Sequence, residues 1–522
     1  MAADDGIECL ALSPAFQQML EDRSSWFYRG EGNDTMVVGY RGQNVVLRLK
    51  KANNGDVKKV QGFDRISNSL EFAKRVFSPL MDGFYVSVGK VVALSEQFLA
   101  DIDAICRADR PCARLHKSVD TGYTHGVLMR DLCFLPESSD YGKEPTFSIE
   151  IKPKCGFLPT SPHISPDQHL RYSVCYYCML QYTKVAEGKH KIRSRYCPVN
   201  LFSRDVPHVY YALEGLVSCP QNNFRVFMDG KMVYSQEILD SAGDDLCCPE
   251  MKLEQILSRA QGTHNPSEVE GTHECSCTGT ITKRFLKTVI GILIHDSNYG
   301  APEVFRSSGL VGKNSEKLCQ ENGSIQQNDV LKPFQENSKI QHPGNARTFG
   351  HGGVLQRLHA LQKMDVLDIQ GLYPLYKKLI QHFEDNPSLR EALDFDKNFN
   401  SKVWQNIIQA GCTGGNSVTT DLDTLLNLDL SDQDSLLYVL SLVCMFSIAN
   451  TSKDCSVMIT FQRRLQPSND TCFVPSLSGE EGHVYAIGVV DLDPKEVDRV
   501  EKYNKDMLNT FTNYIKYSKE SS

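Results

Sequence analysis

Phe147-Ser148-Ile149-Glu150-Ile151-Lys152-Pro153-Lys154-Cys155-Gly156-Phe157 is the stretch whose reading decides the fold. Phe147, Ile149 and Ile151 alternate with Ser148, Glu150 and Lys152, the period of a strand with one buried face. Pro153 then ends the ladder, because it has no N–H to donate. Lys152 and Lys154 are left on either side of that proline, at a strand mouth where two ammonium groups can converge on an anion. Lysine is a compact point charge suited to phosphate. The plainer reading is a strand end with two solvated lysines, and the rest of the chain must choose between them.

The chain has 522 residues, 41% hydrophobic and 23% charged, enough for two lobes with their own cores. A formal net charge of -8 argues against general nucleic-acid binding, which needs a basic domain. Any polyanion site must be a local basic cluster in an acidic protein. Met1–Glu8 is acidic and lacks the apolar core of a signal peptide. The most apolar run, Leu436–Ala449, is read as a buried helix too short to span a bilayer. The 18 cysteines are therefore expected as thiols or metal ligands in the cytoplasm or nucleus.

Upstream, Phe27–Asp34 is a glycine-rich turn cluster, followed by the apolar run Met36–Tyr40. Arg41–Asn44 turns again into Val45–Lys51, a strand with the cation Arg48 in its apolar centre. Glycines let backbone N–H groups approach phosphate closely. A strand cation behind such a loop suits the α/β-phosphates of a nucleotide. Helices are expected over Ser67–Val76 and Leu94–Ile105, and a strand over Gly126–Asp131 marks a hinge. The domains follow as 1–131, a small N-terminal lobe, and 132–522, a larger C-terminal lobe.

Downstream, His169, Cys175, Cys178 and Cys197 surround Lys184 and the basic run Lys189–Arg195. Pro220–Phe227 is a turn feeding a strand, and Asn222, Asn223 and Arg225 can hydrogen-bond hydroxyls or phosphates. Ile281–His295 reads as a helix, and about 297–353 as a long polar insertion without periodicity. Gly309–Asn314 inside it has the wrong spacing for a phosphate-cradling P-loop. Helices resume from Val354 and from Leu372 to Phe383. Ser431 with Asp434 has the spacing of a capping box for a helix ending near Asn450. The turn Thr451–Asp454 then opens onto the strand Cys455–Phe461.

Val484–Val490 is an apolar strand running into Asp491-Leu492-Asp493-Pro494-Lys495. Magnesium takes hard carboxylate oxygens, so Asp491 and Asp493 make a two-carboxylate site feasible. Asp454, at another strand mouth, can accept a hydroxyl proton. Lys495, Arg499 and Tyr503 recur every four residues, which stacks them on one helical face. Cys175-x-x-Cys178 with Cys197 and His169 suits a tetrahedral zinc, with His163 and Cys155 competing for the fourth position.

The blocks Tyr28–Asn33 (Y-R-G-E-G-N), Val46–Lys51 (V-L-R-L-K-K), Glu150–Phe157 (E-I-K-P-K-C-G-F), Pro220–Phe227 (P-Q-N-N-F-R-V-F), Lys453–Ile459 (K-D-C-S-V-M-I) and Asp491–Lys495 (D-L-D-P-K) resemble, in order, those of inositol-pentakisphosphate 2-kinases. The resemblance implies a two-lobed α+β kinase that transfers the ATP γ-phosphate to the 2-hydroxyl of inositol 1,3,4,5,6-pentakisphosphate. It implies that Gly30, Glu31, Gly32, Asn33, Arg48, Asp131, Glu150 and Asp491 serve the nucleotide, with Glu150 at the ribose. Arg114, Lys152, Lys154, Lys184, Asn222, Asn223, Lys495, Arg499 and Tyr503 would meet the inositol phosphate. Asp454 would orient or deprotonate the hydroxyl beside Lys152, and magnesium would sit at Asp491 and Asp493. A monomer without nucleic-acid or membrane partners is expected. Two departures stand out: Gly371–Phe383 lacks the cysteine pair of plant members, and the polar insertion is long. A non-catalytic inositol-phosphate scaffold is the rival reading. The pairing of Asp454 with Asp491 favours the enzyme, since a pure anion binder gains nothing from carboxylates near its ligand.

Overall fold

The computed structural model describes residues 10–52, 61–136 except 82 and 84, 144–241, 248–260, 279–294, 352–413 except 396, 421–464, 472–475 and 482–520. The polar insertion, with Gly309–Asn314, lies outside these residues but for its last two positions.

Alternating apolar residues build two antiparallel sheets, and the fold is α+β. The first sheet comprises β1 (Trp26–Glu31), β2 (Thr35–Tyr40), β3 (Val45–Lys50), β4 (Lys90–Ala93) and β5 (His125–Arg130), in the order β1-β2-β3-β5-β4. The second comprises β6 (Phe147–Ile151), β7 (Phe224–Met228), β8 (Lys231–Tyr234), β9 (Ser456–Arg464), β10 (Cys472–Pro475) and β11 (Gly482–Val490), in the order β10-β11-β9-β6-β7-β8. The expected turn cluster at Phe27–Asp34 is mostly strand. β1 runs to Glu31 with a bulge between Tyr28 and Gly30, and only Gly32–Asp34 turn.

The helices that matter for the site are α1 (Glu96–Cys106), α2 (Tyr176–Ala186), α3 (Thr280–Ile294), α4 (Val354–Gln362), α5 (Asp368–Asp385), α6 (Gln433–Asp454) and α7 (Val500–Glu520). Ser95 starts α1 by accepting a hydrogen bond from the Phe98 N–H at 3.1 Å. Its apolar stripe, Phe98, Leu99 and Ile102, then packs on Trp26, Leu47 and Leu128 of the first sheet. A separate core joins the second sheet to α3, α4, α5 and α6.

α6 departs from expectation at both ends. Asp432, not Ser431, caps it, accepting from the Ser435 N–H at 2.9 Å, while Ser431 bonds back to Asp429. The helix also continues past Asn450 to Asp454. Thr451 and Ser452, which read as a polar turn, are fully buried. Their hydroxyls donate to the Asp493 and Ala449 carbonyls at 3.1 and 2.8 Å, which removes the penalty for burying them. With 22 residues, α6 is long and apolar enough to cross a membrane, so the run is not too short as first read. Most of it lies buried inside the core, as a helix apolar on every side must.

Contacts outside the site also link the segments that carry the two sheets: just beyond β5, the Leu132 and Cys133 carbonyls accept from the Thr460 and Ser148 hydroxyls. Arg29 of β1 bonds both the Asp131 carboxylate and the Gly230 carbonyl in the β7–β8 turn. A parallel bridge joins Val86 to Val489 of β11, with the Val489 N–H donating to the Tyr85 carbonyl at 2.7 Å.

Candidate active site

Strand register assembles the centre. β6 lies between β9 and β7, with Ile151 opposite both Val457 and Phe224, and β11 pairs with β9 so that Val489 opposes Val457. Three chain segments therefore leave the sheet at one edge: Lys152 beyond β6, Ser456 opening β9, and Asp491 beyond β11. Lys152 Nζ lies 3.1 Å from the Asp491 carboxylate. Ser456 Oγ bridges two carboxylates, donating towards Glu150 at 2.9 Å and Asp491 at 3.2 Å. Glu150 also accepts from Arg225 at 2.8 Å. From the first sheet, Arg48 of β3 reaches to 3.8 Å of Asp491. Burial works to raise the Asp491 pKa, but Lys152 and Arg48 outweigh it and hold the carboxyl below its ordinary value. Asp491 has a left-handed backbone, φ 62°, a strained conformation of the kind found at functional sites.

Beside this edge opens a cavity of about 400 Å³, lined by Lys154, Lys184, Asn222, Asn223, Lys495 and Tyr503. Asp454 ends α6 at its wall, rather than sitting in a turn. Its two oxygens accept from Lys154 and Lys495, each at 3.0 Å. Burial would raise its pKa, yet the two ammonium groups bring it down to about 2. Asn223 is buried and donates to the Tyr177 hydroxyl at 2.6 Å, and its carbonyl accepts the Lys152 N–H at 2.9 Å. Lys453, Asp365, Arg171 and Asp368 line the same cavity as two ion pairs, at 2.7 and 2.6 Å. A carboxylate gripped by two lysines within a cation-lined cavity, next to a second carboxylate held by a lysine and an arginine, can hold phosphates and accept a hydroxyl proton.

Against this geometry, a family model of inositol-pentakisphosphate 2-kinases matches residues 28–507. The chain belongs to that family. Among relatives bearing the name inositol-pentakisphosphate 2-kinase, the zebrafish (Danio rerio) protein is 30% identical over 503 residues, covering 92% of this chain and 90% of the relative. The Arabidopsis thaliana protein is 27% identical over 519 residues, covering 93% and 92%. A Drosophila melanogaster relative matches over 314 residues at 30% identity. Like them, the chain is a kinase.

Not every residue carried over from the kinase blocks reaches the centre. Glu31 is engaged elsewhere: it is buried, paired with Lys51, and grips Arg110 through two bonds of 2.9 Å. Burial opposes its charge, but these two cations keep it ionised, its pKa below the ordinary value. It props the turn Gly32–Asp34 from beneath, since Lys51 also donates to the Gly32 carbonyl at 3.1 Å. The Asp131 carboxylate is likewise buried and spoken for by Arg29 and the Cys133 N–H. Gly30 faces open space and Asn33 is exposed at the turn, its carbonyl 3.3 Å from the Lys117 ammonium. Arg114 lies on the short helix Cys112–Arg114, its carbonyl bonded by Arg110 at 3.0 Å.

The Lys495, Arg499 and Tyr503 stripe is not one helical face. Lys495 precedes the helical segment, Arg499 ends the 3₁₀ turn Val497–Arg499, and Tyr503 belongs to α7. Lys495 and Tyr503 line the cavity, whereas Arg499 points aside to Glu496 at 3.5 Å. Asp493 is exposed, and its carbonyl accepts from Thr451.

Cys175 is the N-cap of α2, accepting from the Cys178 N–H, which explains the C-x-x-C spacing. Cys175, Cys178 and Cys197 hold their sulfurs within 4.8 Å of one another, the Cys175 and Cys197 Sγ atoms 3.8 Å apart. His169 does not join them: it is exposed, with Nδ1 3.3 Å from the Pro166 carbonyl. His163 and Cys155 also fall outside the set.

Motif reading missed Gln362, Tyr177, the Ser456 hydroxyl and that of Ser447, which donates to the Lys495 carbonyl at 2.6 Å. Ser456 lies inside K-D-C-S, so its place was legible. Gln362 and Tyr177 carry no local signal.

Proposed function

We propose that the protein transfers the γ-phosphate of ATP to the 2-hydroxyl of inositol 1,3,4,5,6-pentakisphosphate, giving inositol hexakisphosphate. One observation carries this reading: Asp454 is set between Lys154 and Lys495 in the wall of a polyanion-sized cavity, beside the Asp491–Lys152–Arg48 cluster. A carboxylate among phosphate ligands serves an acceptor hydroxyl, which must lose a proton as the phosphoryl group arrives.

In this reading Lys154, Lys184, Asn222, Asn223, Lys495 and Tyr503 bind the inositol phosphates, with Arg499 and Arg114 at the rim. Gly30, Gly32 and Asn33 cover the nucleotide, whose α/β-phosphates pair with Arg48, and Glu150 faces the ribose. Lys152 steadies the transferred phosphoryl group, and Asp454 takes the hydroxyl proton. The hard carboxylates of Asp491 and Asp493 suit magnesium, which when bound neutralises the nucleotide phosphates. Residues 1–131 act as a small lobe over a larger one, 132–522, with ATP between them.

The three cysteines suit a structural zinc, because bonds of about 2.3 Å in a tetrahedron put sulfurs about 3.8 Å apart. Bound there, zinc would pin the start of α2 and the chain before Cys197 around Lys184. A monomer in the cytoplasm or nucleus, with no nucleic-acid or membrane partner, completes the reading. The test is to incubate purified protein with Mg-ATP and inositol pentakisphosphate and separate the products. Hexakisphosphate formation that needs ATP supports the reading, and its absence with folded protein defeats it.

A further inference from the structure

Gln362 closes α4 and is fully buried, though nothing in its sequence neighbourhood marks it. Its Oε1 accepts the Gly156 N–H at 2.8 Å. Its Nε2 donates to the Lys154 carbonyl at 2.8 Å and to the Ser452 carbonyl at 3.2 Å. The partners settle which atom is which, since a backbone N–H can only donate and a carbonyl only accept. One amide therefore ties together two segments about three hundred residues apart in sequence, the loop after β6 and the end of α6.

The segments it joins carry the ion pair at the cavity wall. Lys154 is held in a left-handed conformation, φ 57°, which a lysine does not adopt without support. The Gln362 bonds to residues 154 and 156 lie on either side of Cys155 and supply that support from one direction. Tyr196 supplies it from the other, donating to the Pro153 carbonyl at 2.7 Å. Gly156 is pressed so close to Phe202 that an added Cβ would lie 1.9 Å from the ring, so the loop has no room to slide. On the far side, Ser452 precedes Asp454 by two residues, and its carbonyl, at a helix end, has besides Gln362 the weak thiol donor of Cys455 at 3.3 Å.

We propose that Gln362 is a positioning residue for phosphoryl transfer, an amide clamp that sets Lys154 against Asp454 across the cavity wall. It touches neither substrate nor reacting atoms and acts through those two side chains, so the inference rests on the reading of Asp454 and Lys154 given above. No other residue of that size does the same work. Leucine offers no bond, asparagine is a methylene short, and an ionised glutamate turns acceptors towards two carbonyls.

The test is a double-mutant cycle on kcat for transfer from Mg-ATP to inositol pentakisphosphate, with Tm read on the same samples. Q362L should lower kcat about tenfold or more while leaving KM for ATP within about twofold. In a D454N background the same change should alter kcat by less than about twofold, whereas its Tm loss should be equal in both backgrounds. Equal kcat losses in the two backgrounds would overturn the clamp and leave Gln362 a plain core residue. Q362E gives an independent readout should Q362L fold poorly. Its protonated carboxyl can still donate to one carbonyl, so its activity relative to wild type should climb from about pH 8 to about pH 5. A flat ratio would overturn the proposal. Wild type that makes no hexakisphosphate is a third outcome, defeating the functional reading and the clamp with it.

Discussion

Asp454→Asn should bind inositol pentakisphosphate more tightly while transferring phosphate more slowly. In the free protein both Asp454 oxygens are occupied, one by Lys154 and one by Lys495, each at 3.0 Å. Those lysines cannot serve Asp454 and the ligand's phosphates fully at once, so binding must loosen both pairs. The Asp454 side chain is 54% exposed, which places each pair in the solvent-screened range of about 0.2–1 kcal/mol. Two such pairs amount to about 1 kcal/mol, and releasing them in advance should tighten binding roughly fivefold. Removing the carboxylate also removes a negative charge from the ligand's surroundings, with the same sign. Loss of the proton acceptor should meanwhile lower kcat by about two orders of magnitude. Calorimetric titration without ATP gives the affinity, and product separation after a timed reaction gives kcat. Weaker binding in the variant would refute the competition between carboxylate and phosphates. Turnover close to wild type would refute the role of Asp454 as base.

Three further outcomes are expected. Lys495→Ala should weaken inositol-phosphate binding more than ATP binding, and more than Arg499→Ala does, because only Lys495 lines the cavity; equal losses by calorimetry would contradict this. Cys175→Ser/Cys178→Ser should lower both zinc content and Tm, and elemental analysis showing no zinc in wild type would remove the metal from the account. His359 is half-buried and stacked on Phe202, and this loss of solvent, with Lys363 and Arg204, pushes its pKa from 6.5 down to about 4. The unfolded chain therefore takes up a proton before the folded one does, and stability should fall by on the order of 2 kcal/mol as pH drops from 6.5 to 4. Denaturant titrations should show that slope in wild type and lose it in His359→Phe.

Where one face of a segment repeats simply, the sequence was a good guide. Phe147–Ile151 is a strand ended at Pro153, as its alternation implied, but not with one buried face: Ser148 is buried too, its hydroxyl donating to the Cys133 carbonyl at 2.8 Å. The helix α3 matches the apolar stripe of Leu286, Val289, Ile290 and Leu293. The C-terminal end of α6 was misjudged because local rules cannot see tertiary partners. Thr451–Asp454 looks like a turn until the Thr451 hydroxyl finds the Asp493 carbonyl, 42 residues on. The same limit hid the fate of Glu31. Nothing near Y-R-G-E-G-N reveals that Arg110, 79 residues on, will take its carboxylate. The cavity's lysines and asparagines were readable because they fall in dense blocks, whereas Gln362 depends wholly on where distant loops arrive.

The contact of Arg29 with Asp131 and the Gly230 carbonyl depends on a missing side chain. A Cβ at 230 would lie 2.8 Å from Arg29 and 2.5 Å from Phe134, and the backbone there is left-handed, φ 75°, which only glycine adopts freely. A bulkier residue at 230 would therefore crowd Arg29 off its two partners from a point well outside the cluster of Arg48 and Asp491.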